Sequence, residues 1–102
     1  MEQKKRLVLG EMVWPEVERE MANIKVAVIP VGSCEQHGPN TTFTTDSERA
    51  YEFCKLLGDR VGNKILIAPP VTYGISTHHM PFPTTLTLRI DTMIQMLCDI
   101  AE

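Results

Sequence analysis

Glu35, His37 and Asp46 place two carboxylates and an imidazole within twelve residues. These are donor types that a divalent metal takes. Residues two apart on an extended segment point the same way, so Glu35 and His37 can face one pocket. Gly38-Pro39 then turns the chain, and Asp46 arrives at the start of a helix. A helix N-terminus favours the ionised carboxylate, which a metal also requires. A carboxylate has two oxygens and can bridge two metals. The competing roles are ordinary ones: an N-cap for Asp46, and solvated loop residues for Glu35 and His37. The chemistry to look for is half of a metal site.

Other reactive side chains make weaker cases. A nucleophilic Cys34 needs a nearby base and a lowered pKa. On an extended segment it points away from Glu35, which argues against that role. Cys54 and Cys98 fall on apolar helix faces and read as core residues. His78 and His79 lie in a proline-bounded loop. Adjacent histidines diverge, so one can face a substrate while the other faces solvent, or both can be plain surface residues. The Met93, Met96 and Leu97 stripe reads as packing. Trp14 and Tyr73 could line a pocket, but single aromatics usually pack.

The elements that must position the trio can be read from the pattern. Trp14-Pro15 opens a short helix to about Ala22, with Val17 and Met21 on one face. Val26 to Val31 is a continuous apolar run, expected as a strand covered on both faces and ending near Pro30. Thr45-Asp-Ser-Glu48 has the spacing of a capping box. Ala50, Phe53, Cys54 and Leu57 follow at helical spacing, and Gly58 is the expected stop. Lys64 to Ala68 is a second strand, closed by Pro69-Pro70. A long loop runs from Val71 to about Thr84, and Thr85 to Leu88 alternates as a short extended piece. An amphipathic helix begins at Asp91. A strand end, a polar loop and a helix start are where α/β proteins build sites.

The chain has 102 residues, 43% hydrophobic and 23% charged, with net charge -3. That suits one small soluble domain. No basic block supports nucleic-acid binding, and no long apolar run supports a signal peptide or membrane span. The three cysteines form no CxxC pair, which fits reduced, cytoplasmic usage. Two strong strands are few for a stable sheet, and no stop signal follows the last helix. The expectation is an incomplete domain, residues 1–102 being its N-terminal portion. The alternative is a small two-layer domain that pairs with another chain.

Trp14-Pro-Glu-Val, Pro30-Val-Gly-Ser-Cys-Glu-Gln-His-Gly-Pro39 and Thr45-Asp46 together resemble the creatininase (creatinine amidohydrolase) family. Ala68-Pro-Pro, Tyr73-Gly-Ile-Ser and Phe82-Pro-Thr-Thr-Leu continue the resemblance in order. It implies an α/β protein with the three-layer α/β/α creatininase-like fold, present here only as its N-terminal part. It implies hydrolysis of a C–N bond in a small cyclic amide or formamide by a water activated by two divalent metals, zinc or manganese. Carried over, Glu35 is a ligand of one metal, His37 of the other, and Asp46 the bridge. Ser76 and His79 fall in the loop that approaches the small-molecule substrate.

Three departures accompany the resemblance. Asn40-Thr-Thr-Phe-Thr44 stands where the family often has His-Leu-Pro-Leu-Gly. Phe82-Pro83-Thr84-Thr85 replaces Phe-Pro-Gly-Thr. The family's Asn-Gly-His motif, which adds a ligand to each metal, lies beyond this sequence. A homo-oligomer or a complementing chain is therefore expected as a partner, and a non-catalytic binding or assembly module is the alternative function.

Overall fold

The computed structural model describes residues 5–39, 41–81 and 85–102. Asn40 and Phe82, Pro83 and Thr84, where the sequence departs from the family pattern, lie outside the described residues. The chain divides into two compact units, one of residues up to Pro30 with Arg49–Pro70, the other of Val31–Glu48 with Val71–Glu102.

The first unit is built on a parallel sheet of strands β1 (Leu7–Val8), β2 (Val26–Val28) and β3 (Ile65–Ile67), in the order β1-β3-β2. Val26 pairs with Ile65 and Val28 with Ile67, while Leu7 pairs with Leu66. Parallel neighbours require long crossovers, here helix α1 (Trp14–Glu20) and most of helix α2 (Thr45–Val61). Leu7, Val8, Cys54, Ile65 and Ile67 are buried, and Val28, Tyr51 and Val61 pack against this core. Pro15 occupies the first turn of α1, as its fixed φ allows, and the Glu16 carboxylate accepts a hydrogen bond from the Val13 N–H at 3.4 Å.

Several sequence expectations need correction. β2 ends at Val28, before Pro30, and is not covered on both faces: it is an edge strand, with Val26 54% exposed. β1 was not expected, because a two-residue strand shows no alternation to read. α2 does not stop at Gly58 but continues to Val61, and Gly62 at φ 80° takes the left-handed position after it. Gly58 serves packing instead. A Cβ there would sit 2.9 Å from Arg6 Cβ and 3.1 Å from Ile67 Cδ1. Phe53, at helical spacing, faces outward and is exposed.

The second unit is mostly loop around the first turn of α2, with helix α3 (Ile90–Ala101). Val31 bridges Val71 in parallel and Cys34 bridges Leu86 in antiparallel sense. Leu88 N–H donates to Gly74 O at 2.8 Å, so the expected extended piece at Thr85 to Leu88 is held on both sides. Thr77–His79 forms a 3-10 turn within the long loop. The start of α2 differs from the expected capping box. The Thr45 hydroxyl turns back to the Thr42 carbonyl at 2.7 Å, while Thr44 bonds the Glu48 carboxylate at 2.8 Å and its carbonyl accepts the Glu48 N–H. α3 has the expected apolar face, yet Ile90, Ile94 and Ile100 are exposed. Cys98, expected in a core, is exposed as well. No helix among the described residues is long and apolar enough to cross a membrane.

Candidate metal centre

The segment that leaves β2 carries Glu35 and His37 on the alternation expected of extended chain, and α2 carries Asp46 in its first turn. One donor atom from each of the three lies within 4.8 Å of the others. Glu35 is buried; His37 and Asp46 are half-buried. The Glu35 N–H donates to Phe43 O at 3.3 Å, which ties this segment to the turn before α2.

Both imidazole nitrogens face oxygen acceptors. His37 Nδ1 lies 2.7 Å from the Gln36 carbonyl oxygen, which can only accept, so Nδ1 carries the hydrogen. Gln36 also fixes the following turn, since its side-chain oxygen accepts the Gly38 N–H at 2.8 Å. Nε2 is left facing Asp46 Oδ1 at 3.0 Å. In neutral imidazole that nitrogen presents a lone pair to a carboxylate oxygen. The two attract only if a cation, either a proton on Nε2 or a metal ion, sits between or beside them.

The charge shifts carry the same message. The His37 pKa is raised above 6.5, first by its hydrogen bond to Asp46 and then by the Gln36 carbonyl. Asp46 is held below 3.8, first by His37, with further help from the Ser33 hydroxyl and against the opposing effect of burial. The Glu35 side chain is also within hydrogen-bond reach of Asp46 and contributes in the same direction.

The donor set fits a divalent ion. Donors about 2.1 Å from one ion and adjacent in its shell are about 3.0 to 3.4 Å apart, by the geometry of tetrahedral and octahedral sites. The His37–Asp46 separation of 3.0 Å falls at that edge length. A hydrogen bond from Nδ1 to a carbonyl is the usual support for an Nε2 ligand. Two carboxylates and an imidazole, with no thiolate, suit zinc or manganese.

Ser33 is a residue that spacing does not single out. Its hydroxyl donates to Asp46 Oδ2 at 2.8 Å. The two-residue period that aligns Glu35 with His37 extends back to Ser33, and that was the available signal. Cys34 is half-buried, and its carbonyl accepts the Leu86 N–H at 3.0 Å.

Of the two loop residues Ser76 and His79, Ser76 alone has a described side chain. Ser76 is fully buried. Its N–H donates to Thr87 Oγ1 at 2.7 Å, and its hydroxyl has no partner among the described residues. The backbone of His79 closes the 3-10 turn, while its side chain lies outside the described residues. His78 is exposed. Trp14, also exposed, lines an apolar surface groove with Leu9, Met12, Val17 and Met21 in the first unit.

The chain is similar to known proteins. A mycofactocin precursor peptide peptidase from Mycolicibacterium smegmatis is 35% identical over 69 residues, 64% of this chain and 28% of the relative. The creatinine amidohydrolase of Pseudomonas putida is 32% identical over 90 residues, 80% of this chain and 34% of the relative. Among solved structures, a manganese creatininase superposes with a TM-score of 0.82 at 28% identity, over 94% of this chain and 39% of that one. A mutant creatininase of Zn–Zn type gives 0.81 at 29% identity, over 95% and 39%. The chain therefore has an α/β, creatininase-like fold and spans about a third of the length of the curated relatives it matches. Residues 10–102 match the family model for creatinine amidohydrolase, and the chain belongs to the creatininase family.

Proposed function

We propose that these 102 residues form the N-terminal portion of a creatininase-like domain and contribute the first ligands of a two-metal hydrolase. The observation that carries the reading is the Glu35, His37 and Asp46 cluster, whose facing donors need a cation to be stable. Glu35 would hold one ion, His37 the other, and Asp46 would be shared between them. A bound divalent metal supplies Lewis acidity: it polarises a carbonyl and lets water act as a nucleophile near neutral pH. The chain's own part is to hold the donors ready. Gln36 turns the Nε2 of His37 toward Asp46, and His37 with help from Ser33 holds Asp46 ionised. Ser76 and His79 belong, on this proposal, to the loop beside the substrate.

The substrate class is a small cyclic amide or formamide, supported by the relative that is a creatinine amidohydrolase. The peptidase relative supports a peptide amide as the second choice, and both share attack on a carbon bearing nitrogen. Zinc or manganese fits the donors and the metals of the creatininase structures. The free cysteines suit a reducing cytoplasm. Three donors among the described residues are too few for two ions, so further ligands are part of the proposal, with a second copy or a complementing chain as their source. A non-catalytic binding module is the reading that remains if no such complement is found.

The test is metal content by elemental analysis and calorimetric titration with Zn²⁺ and Mn²⁺, on wild type and on Asp46→Ala and His37→Ala. Tight binding in wild type and its loss in both variants is the expected result. Wild-type metal stoichiometry retained in Asp46→Ala would remove the bridging role. Hydrolysis of cyclic amides, formamides and short peptides, assayed on the metal-loaded native assembly, then separates the substrate classes.

A further inference from the structure

We infer that Ser33 is a positioning residue for the metal centre, fixing the orientation of the Asp46 carboxylate toward His37. This rests on the metal reading above. The Ser33 hydroxyl donates to Oδ2 at 2.8 Å, while Oδ1 faces His37 Nε2 at 3.0 Å. The two oxygens are therefore not equivalent. The terminal torsion of an aspartate is broad and two-fold, so without a fixed donor the carboxylate samples a wide arc.

Ser33 can act as that donor because its own backbone is held. The preceding N–H, that of Gly32, donates to Val71 O at 2.8 Å, and the following carbonyl, that of Cys34, accepts from Leu86 at 3.0 Å. Gly32 also lies so close to the first turn of α2 that a Cβ on it would be 2.5 Å from Ser47 backbone atoms. The hydroxyl thus projects from a segment pinned on both sides, against the turn that carries Asp46. Serine has one side-chain torsion, so little freedom remains to be lost when the bond forms.

The consequence is directional. Oδ1 keeps its full donor strength on the His37 side. Oδ2 shares its charge with a hydroxyl and is the weaker donor. Removing that hydroxyl leaves the ligand set intact but loosens its geometry. Loss of such an outer partner typically weakens metal affinity by about 10- to 100-fold.

The experiment uses Co²⁺ as the probe, read by calorimetry and by the visible absorption of the loaded chain, which reports coordination geometry. Ser33→Ala is expected to bind about 10- to 100-fold more weakly and with a shifted spectrum. Ser33→Thr keeps the hydroxyl and should bind within severalfold of wild type. Ser47→Ala removes the same atom from a buried hydroxyl that has no partner among the described residues, and should change neither readout. Wild-type affinity and spectrum in Ser33→Ala, alongside lost binding in Asp46→Ala, would overturn the positioning role and leave the metal reading standing. Equal weakening in Ser33→Ala and Ser33→Thr would assign the effect to packing and overturn it as well. No uptake of Co²⁺ by wild type would remove both proposals together.

Discussion

Gly32→Ala is the sharpest test of how the site is assembled. A Cβ at this position would lie 2.5 Å from the Cα, N and Oγ of Ser47, whereas ordinary contact begins at 3.4 Å. The obstructing atoms are largely backbone, so rotation of a side chain cannot relieve the overlap. Either the loop from Val31 or the first turn of α2 must retreat by about 1 Å. Asp46 is the residue before Ser47, so the displacement is passed to the site. The Ser33–Asp46 and His37–Asp46 contacts, now 2.8 and 3.0 Å, would open to about 3.8 to 4 Å, beyond hydrogen-bond range. Overpacking of this kind costs about 1 to 3 kcal/mol. Each kcal/mol lowers the midpoint of a domain this size by roughly 4 to 8 °C. The assays are thermal unfolding of the metal-free chain and calorimetric titration with Zn²⁺, with Gly10→Ala as control. At Gly10 the nearest atom, Tyr51 Oη, would be an ordinary 3.5 Å away. Gly32→Ala should lower both midpoint and affinity, and Gly10→Ala neither. A Gly32→Ala chain with wild-type midpoint and wild-type affinity would refute the claim that this close approach builds the site.

The remaining predictions use other parts of the structure. Metal affinity should rise with pH by about tenfold per unit while His37 is protonated, then level off above its raised pKa, because the ion must displace that proton; titrations at several pH values check this, and a flat profile would count against His37 as a ligand. In the metal-free chain the His37–Asp46 pair has the opposite trend at high pH. The raised His37 pKa gives stability that is full below 6.5 and is lost as pH rises through the folded value, while the lowered Asp46 pKa gives stability that is full above 3.8 and is lost as pH falls through its folded value. Thermal midpoints in chelator should therefore drop on both sides of that window, and His37→Ala should flatten the alkaline side. Ile67→Ala, at a position with no exposed surface, should cost about 2 to 5 kcal/mol in denaturant unfolding, whereas Ile94→Ala on the exposed face of α3 should stay within about 0.5 kcal/mol. Cys34→Ala should leave metal binding unchanged, and a loss of metal there would revive a role for the thiol.

The candidate site was more legible in the sequence than the sheet. Glu35 and His37 are two residues apart, and Asp46 is the second residue of a helix. Both are local relations that spacing reports directly. β1 was not legible, because Leu7 and Val8 become a strand only by pairing with Leu66 and Ile67 some sixty residues away. The exposure of β2 was hidden for a related reason: an apolar run states what a strand could bury, not which neighbours it has. Gly58 and Gly62 look alike as stop signals. Only the approach of Arg6 and Ile67 shows that the first is a packing residue and the second the true end of α2. Ser33 was within reach of the same alternation that aligned Glu35 and His37, but a serine has many uses and its partner Asp46 lies thirteen residues on.

Charge and coordination together indicate what the cluster needs. Glu35 and Asp46 bring two negative charges and His37, when neutral, brings none. One divalent ion among them makes a neutral group, which a partly buried site tolerates. A second ion would leave two positive charges unbalanced and would share the three protein donors found among the described residues between two shells that want at least four each. The first ion should therefore bind far more tightly than the second in the chain as it stands. A complementing copy or chain that adds further donors would raise the second affinity much more than the first. The chain's span of about a third of its curated relatives gives that asymmetry its meaning. On the proposed reading, the residues here select and orient the first ion, and completion of the site rather than its nucleation decides whether hydrolysis occurs.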